Sequence, residues 1–129
     1  MQTWSAPKFF LVGIGVIVSL AGCGAATDDR PAKWSFISAT IIQPSCATAS
    51  CHSAIAQRAS IDLHDRATGY AHLKNRNFAT PVVAGQPQTA AVISLMRAQG
   101  TRRMPPDFAL PLEDIELVEK WIAAGAMND

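Results

Sequence analysis

The sequence has little charge, and its charges nearly cancel. Of 129 residues, 11 are Lys or Arg and 10 are Asp or Glu, and Lys8 is the only charged residue before Asp28. A nucleic-acid-binding protein needs a basic surface to meet phosphates, so the balanced charge argues against that class. The balance also indicates no strongly charged partner. The length is typical of one domain and leaves no room for a second, catalytic one.

No hydrophobic run reaches the roughly 20 residues that cross a bilayer as a helix. The apolar run Phe9–Ala21 instead has the length of the hydrophobic region of a signal peptide. It leads into Leu20-Ala21-Gly22-Cys23, which resembles the cleavage site of bacterial lipoproteins, where the cysteine becomes the first residue and carries lipid. We therefore expect residues 1–22 to be a lipoprotein signal peptide and Cys23 to be lipidated. The alternative is an uncleaved membrane anchor or a buried helix.

A lipid on Cys23 would hold the protein at a membrane surface while the domain itself stays in solution. Residues 23–33 are small, polar and interrupted by Pro31, which predicts a tether, and residues 34–129 then form one domain. Gly24 follows the cysteine, which by resemblance to lipoprotein sorting signals favours the outer membrane. The predicted location is the periplasmic side of a bacterial membrane.

Cysteine is scarce, and its positions are informative. Of three cysteines, one is assigned to lipid, and the other two lie in Cys46-Ala47-Thr48-Ala49-Ser50-Cys51-His52. Two cysteines followed at once by histidine are typical of c-type haem attachment, here with four intervening residues instead of two. This pattern predicts that Cys46 and Cys51 hold one haem covalently and that His52 binds its iron. The alternative is a Cys46–Cys51 disulfide, which an oxidising compartment would allow.

The wider spacing carries a geometric prediction. On a regular helix, cysteines five residues apart would lie about 140° apart, too far to meet one edge of a porphyrin. We therefore expect a widened loop at Ala47–Ser50, with helix resuming near His52. Both thiols should point to the same side as the His52 ring.

A second axial ligand is predicted in the loop that contains Met104-Pro105-Pro106. The two prolines stiffen the backbone after Met104, and a rigid loop presenting a thioether suits a sixth haem ligand. Arg102 and Arg103 would neutralise haem propionates, meet a partner or simply be solvated. Other side chains that carry a ligand atom are weaker alternatives: His64, His72 and Met96. Met96 shares helical spacing with Val92 and Leu95, which is more typical of core packing.

Four helices are predicted from apolar spacing and end signals: Ala32–Gln43, Arg66–Lys74, Gln88–Ala98 and Pro111–Ala124. Pro44 should stop the first helix, Asp65 should cap the second, and Pro87 suits the first position of the third. In the second, Tyr70 and Leu73 should face inward. The first helix has one apolar stripe of Trp34, Ile37, Ile41 and Ile42. The last has a stripe of Ile115, Val118, Trp121 and Ile122, and Gly125 suits its end.

The order of these features resembles c-type cytochrome domains of the planctomycete and myxobacterial kind, which are related to class I cytochromes c. The resemblance covers about residues 34–126. Four segments carry it: Cys46–His52, Val83–Pro87, Met104–Pro106 and Trp121–Ala126. It implies an all-α, cytochrome c-like fold in which the first and last helices cross around one haem. It also implies Cys46 and Cys51 as thioether positions, His52 as proximal ligand and Met104 as distal ligand.

The resemblance implies an electron carrier, not an enzyme, that works with an unidentified redox partner. Two strong axial ligands would leave no open site on the iron for a substrate, and histidine–methionine ligation raises the potential. Two alternatives stay open. One is a haem-based sensor or weak peroxidase with a labile or absent sixth ligand. The other is a haem-free lipoprotein interaction module held by a Cys46–Cys51 disulfide.

Overall fold

The computed structural model of the protein describes residues 28–75 and 81–129, and all regular structure within them is helical. This confirms the predicted all-α class. The α-helices are α1 (Trp34–Ile37), α2 (Gln43–Cys46), α3 (Arg66–Lys74), α4 (Ala91–Arg97) and α5 (Leu112–Ala123). A π-helical turn, Ser38–Ile42, joins α1 to α2, and 3-10 turns cover Arg58–Ser60, Pro87–Thr89 and Gly100–Arg102. The predicted signal peptide and Cys23 lie outside the described residues.

The first helical segment runs through Pro44, so the prediction that this proline ends the helix at Gln43 is wrong. A proline inside a helix lacks an N–H donor, and its ring crowds the carbonyl four residues earlier. The wider π turn lies immediately before Pro44, and the N–H of Gln43 bonds to the carbonyl of Ser38 five residues back. Widening at that point relieves the crowding, because the ladder no longer needs the usual spacing. The helix therefore continues to Cys46.

Three aromatic rings join helices α1, α3 and α5. The rings of Trp34 and Trp121 stack with centroids 4.9 Å apart, and Tyr70 lies 6.0 and 6.3 Å from them. Both tryptophans are almost completely buried. Each ring also donates a hydrogen bond of 2.8 Å to a main-chain carbonyl: Trp34 to Arg66, Tyr70 to Ala126 and Trp121 to Met127. The first and last helices thus pack together, with their polar edges satisfied.

The last residue of the chain completes the start of α1. Lys33 precedes this helix and offers no side-chain cap. Asp129 supplies it instead, because its carboxylate accepts from the N–H of Trp34 at 3.0 Å and its carbonyl accepts from Ser35 at 2.9 Å. Two N–H groups that a helix start leaves unpaired are thereby satisfied from the far end of the chain.

Helix α3 has the predicted bounds and the predicted cap. The carboxylate of Asp65 accepts from the N–H of Thr68 at 2.9 Å and from its hydroxyl at 2.8 Å. Gly69, a weak helix former, is buried, and a Cβ there would lie 3.4 Å from the Trp34 ring. The glycine therefore lets α3 lie close against α1. Tyr70 and Leu73 pack against the core as partly buried residues, as expected.

Helices α4 and α5 differ modestly from their predicted bounds. Pro87 begins a 3-10 turn, and extended backbone at Ala90 delays α4 to Ala91. The face of α4 that is buried holds Ile93 and Met96, with Val92 partly buried, so the predicted stripe missed Ile93. Helix α5 buries all four predicted residues and also Leu117. Gly125 follows its end with φ of +117°, as a C-terminal stop requires.

The end of the predicted tether is bound to the domain. Arg30 forms ion pairs with Asp28 and with Asp114 in the first turn of α5. Hydrogen bonds to Asp28 raise the pKa of Arg30, and the same bonds lower the pKa of Asp28 to about 2. The chain is therefore fixed to α5 from Asp28 onward, six residues before α1 begins.

Removing the buried Trp121 side chain should destabilise the fold. Trp121→Ala should lower the free energy of unfolding by about 3–5 kcal/mol, because it deletes a buried ring and leaves a cavity. Leu112→Ala is the control on the same helix, since Leu112 is 54 % exposed. Its effect should stay below about 1 kcal/mol. Urea unfolding followed by circular dichroism measures both, and equal losses in the two variants would contradict the role given to the aromatic cluster.

Candidate functional site

The Cys46–His52 segment begins where α2 ends. Cys46 is the last residue of the helix, and Ala47 leaves helical geometry with φ of −86° and ψ of 27°. Residues 47–50 form a bend and a turn, which confirms the predicted departure from regular helix. Helix does not resume near His52, because residues 51–56 are turns and bends, so that part of the prediction is wrong. Hydrogen bonds within the loop and from Arg58 and Leu63 pair its backbone instead.

Hydrogen bonds close this segment into a defined loop. The N–H of His52 donates to the carbonyl of Cys46 at 3.1 Å, and the N–H of Cys51 donates to Thr48 at 2.9 Å. The carbonyl of His52 in turn accepts from Leu63 at 2.8 Å. Both cysteines and the histidine therefore sit on one closed loop, with Leu63 as its link to the core.

The two thiols are free and differ in their environment. Cys46 packs against the hydrophobic core, and burial, with a smaller effect of Cys51, raises its pKa to about 11. The pKa of Cys51 is lowered, mainly by hydrogen bonds from the Thr48 and Ser50 side chains, with a further effect of the Arg58 charge. The Ser50 hydroxyl lies 3.7 Å from the Cys51 sulfur. Cys51 is thus the more readily ionised thiol of the pair.

His52 has a ring nitrogen whose hydrogen-bonding capacity is unused. Among the residues that the structure describes, its Nδ1 is the one buried side-chain nitrogen or oxygen without a hydrogen-bond partner. Leaving such an atom unpaired costs about 1–3 kcal/mol, so an unpaired atom calls for an explanation. A neutral imidazole holds a lone pair on one nitrogen and a proton on the other, and this lone pair is what binds a metal. The structure thus leaves the Nδ1 of His52 without a partner, and ligation of iron by His52 stays a prediction.

The Met104 loop is braced from both sides. Its main-chain N–H donates to the carbonyl of Leu95 at 3.1 Å. The guanidinium of Arg103 donates to the carbonyls of Pro105 and Pro106 at 3.3 and 3.2 Å, so Arg103 holds the loop together. The Met104 side chain is 40 % exposed. A fixed backbone therefore presents a thioether that is not absorbed by the core.

An electrostatic interaction connects this loop to the cysteine motif. The carboxylate of Asp107, three residues after Met104, opposes the fall in the Cys51 pKa. Two large apolar side chains near these segments are also exposed, Ile55 at 95 % and Phe108 at 48 %. The charge of Asp107 thus has the smallest of the effects on the Cys51 pKa. Ligation of iron by Met104 stays a prediction.

The three side chains predicted as alternative ligands make structural contacts in the domain. The two ring nitrogens of His64 lie 2.8 Å from Asp62 and 2.7 Å from Asp65. His72 accepts a hydrogen bond at its Nδ1 from the N–H of Asp62. Met96 is 4 % exposed and lies in the core beside a shallow cavity of about 230 Å³. Met104 differs from Met96 in that its thioether side chain is 40 % exposed rather than buried.

No protein family, curated protein or solved structure matches the chain. Within residues 28–75 and 81–129, no three His, Cys, Asp or Glu side chains are grouped to bind a metal ion by themselves. No helix in these same ranges has the length and apolar character needed to cross a bilayer.

Sequence reasoning missed Arg58 and Asp107, which both act on Cys51. Arg58 donates from its Nε to the carbonyl of Ser50 at 2.8 Å, and from its main-chain N–H to Cys51 at 3.0 Å. These bonds depend on a turn in which Gln57, Ala59 and Ser60 have positive φ. No glycine marks that turn, so no signal in the sequence predicts it.

The His64 ion pairs should give folding stability a measurable pH dependence. The hydrogen bond to Asp62 raises the pKa of His64 above its ordinary 6.5, so protonated His64 stabilises the fold below that pH. This stabilisation should be lost as the pH rises through the folded-state pKa. The pKa values of Asp62 and Asp65 are lowered, so their contribution is lost only as the pH falls below their ordinary 3.8.

His64→Gln should therefore flatten the decline of stability above pH 6.5. Urea midpoints at several pH values between 5.5 and 8.5 measure this, and a proton NMR titration gives the His64 pKa directly. The same slope in the variant and the parent chain, or a His64 pKa at or below 6.5, would show that the ion pairs do not favour the folded state.

Proposed function

We propose that this chain carries one covalently bound haem c and serves as a one-electron carrier. The observation that supports it best is the closed loop that joins two free thiols, Cys46 and Cys51, to a histidine with an unpaired buried ring nitrogen. A structural disulfide loop has no need for such a histidine. The chemistry of the donor set fits a c-type haem, since thiols hold the vinyl groups and imidazole holds the iron.

Two of the residues would attach the haem, and two others would bind its iron. Each thiol would add its S–H across one vinyl group, forming a C–S bond without net oxidation or reduction, so both must be reduced at that stage. His52 would supply the proximal nitrogen and Met104 the distal sulfur. The bound haem supplies an iron that alternates between ferrous and ferric states. Histidine–methionine ligation favours the ferrous state and raises the reduction potential.

The surroundings of the loop suit a flat apolar group. Ile55, Met104 and Phe108 are exposed apolar side chains on the segments that carry the proposed ligands. Covering them with a porphyrin would remove apolar area from water, which stabilises the complex by roughly 25 cal/mol per Å². The effect of the Asp107 charge on the Cys51 pKa supports the proposal that the two segments face one site. We infer that the haem lies between the Cys46–His52 loop and the Met104 loop.

The proposed cellular setting comes from the sequence outside the described residues. Cleavage before Cys23 and lipidation of its thiol would place the domain on the periplasmic side of a bacterial membrane. Gly24 after the cysteine favours the outer membrane over the inner one. An unidentified protein partner would exchange electrons with it there. The cysteine count fits this assignment, since one thiol goes to lipid and two go to haem.

A second function is favoured by one observation. The Met104 side chain is 40 % exposed, and a weakly held thioether would leave the sixth position of the iron accessible. The protein would then be a haem-based sensor or a weak peroxidase. Binding of carbon monoxide to the reduced protein at neutral pH distinguishes this function from electron transfer.

Haem attachment should depend on Cys46 and Cys51 and not on Cys23. The full chain, exported in a bacterium with a haem c maturation system, should stain for haem on a denaturing gel. Cys46→Ser/Cys51→Ser should lose the stain entirely, because no thioether can form. Cys23→Ser should keep haem and lose lipid labelling. Colourless parent protein with a Cys46–Cys51 disulfide would end the haem proposal and favour the interaction module.

Met104→Ala should alter the iron and spare the fold. We expect loss of the long-wavelength absorption from methionine to iron and a reduction potential lower by on the order of 0.1–0.3 V, within the range that axial ligands span. Met127→Ala is the control, since Met127 is 62 % exposed and its carbonyl, which binds Trp121, is kept. An unchanged spectrum and potential in Met104→Ala would remove Met104 from the ligand set.

A further inference from the structure

The widened loop leaves main-chain carbonyls that a regular helix would have paired. In a helix each carbonyl accepts from the N–H four residues later. Beyond Cys46 this ladder is broken, so the carbonyls of the motif need other donors. Those of Cys46 and Thr48 are paired within the loop. Those of Ser50 and Cys51 are not, and they lie directly before the iron-binding histidine.

One residue serves both of these carbonyls. Arg58 donates from its guanidinium Nε to Ser50 at 2.8 Å and from its own N–H to Cys51 at 3.0 Å. A side-chain bond and a main-chain bond from the same residue fix both the position and the orientation of this peptide.

The backbone around Arg58 is strained in a way that produces this contact. Gln57, Ala59 and Ser60 have φ of 40°, 55° and 59°, in the left-handed region that side chains disfavour. A side chain in this region crowds the backbone, so each such residue is unfavourable. The turn folds the chain back so that Arg58 faces the loop it has just left. Strain of this kind persists where surrounding contacts over-determine the conformation.

We propose that Arg58 is the positioning residue of the attachment loop, fixing the peptide before His52 so that a four-residue spacing presents both thiols as a two-residue spacing would. This inference rests on the proposed function, because the shape of the Cys46–His52 loop matters for haem attachment. With two intervening residues the helix itself sets the geometry, and no external donor is needed. Arg58 thus compensates for the longer loop.

The test compares haem loading at two loop lengths. The full chain and its Arg58→Met variant are exported with the maturation system, and intact-mass spectrometry gives the fraction of chains carrying haem. Arg58→Met should reduce this fraction about five- to tenfold, the factor expected from the net loss of one ordinary hydrogen bond. Arg58→Lys keeps the charge but not the Nε donor. Its haem-loaded fraction should therefore lie between those of the parent chain and Arg58→Met. Arg66→Met is the control, since Arg66 is exposed and its carbonyl, which binds Trp34, is unchanged.

Deleting Ala47 and Thr48 restores a two-residue spacing and tests the specific role. In this shortened chain Arg58→Met should no longer lower haem loading, because the helix itself would position the two cysteines without the Arg58 hydrogen bond. An equal loss at both loop lengths would show that Arg58 supports folding in general and would overturn the proposal. Equal loading of Arg58→Met and Arg66→Met at the native length would overturn it too.

Amide hydrogen exchange in the haem-free full chain gives a readout that needs no haem. The N–H groups of Cys51 and His52 should exchange about five- to tenfold faster in Arg58→Met and at the parent rate in Arg66→Met. Unchanged exchange in Arg58→Met would refute the positioning role whatever the haem loading. If the parent chain carries no haem but these amides respond, the haem proposal fails while the positioning role of Arg58 stands.

Discussion

The stack of Trp34 on Trp121 is the contact on which the rest of the structure depends. It joins the first helical segment to α5, and Tyr70 of α3 closes the cluster from the side. The rings are nearly inaccessible to water, and their polar edges are all paired with main-chain carbonyls. Because the segment that starts at Trp34 ends at Cys46, this cluster also determines where the motif loop leaves the core.

The loop itself is stabilised by polar contacts rather than by burial. Its residues 48–50 are exposed, and its shape depends on hydrogen bonds to Arg58 and Leu63 and on the bond between His52 and Cys46. A few exposed bonds contribute little net stability, typically about 1 kcal/mol each. The loop therefore joins two different environments, because Cys46 packs against the core while residues 48–50 before Cys51 are exposed.

Local features of the fold could be read from the sequence, and features set by distant contacts could not. The bounds of α3 and its Asp65 cap follow from neighbouring residues alone, so they were predictable. Pro44 was predicted to end the first helix because no residue nearby marks the π turn that accommodates this proline. The residues Ser38, Ile41 and Ile42 of that turn are buried. The absence of helix at His52 depends on Leu63 and Arg58, which bond to the loop from later in the chain. The Cys46–His52 pattern is visible in the sequence because its residues have a short, fixed spacing, but Arg58 and Leu63, which hold the loop, have no fixed spacing from it.

The π turn at Ser38–Ile42 sets the rotational phase of everything that follows it. A π turn contains one residue more than the α-helical turn it replaces, so the same residues wound as an ordinary α-helix would add one residue step of rotation, about 100°, before Cys46. Cys46 would then lie on a different face of the helix from the one that packs against the core. The π turn thus takes up one residue without changing the direction in which the helix delivers Cys46.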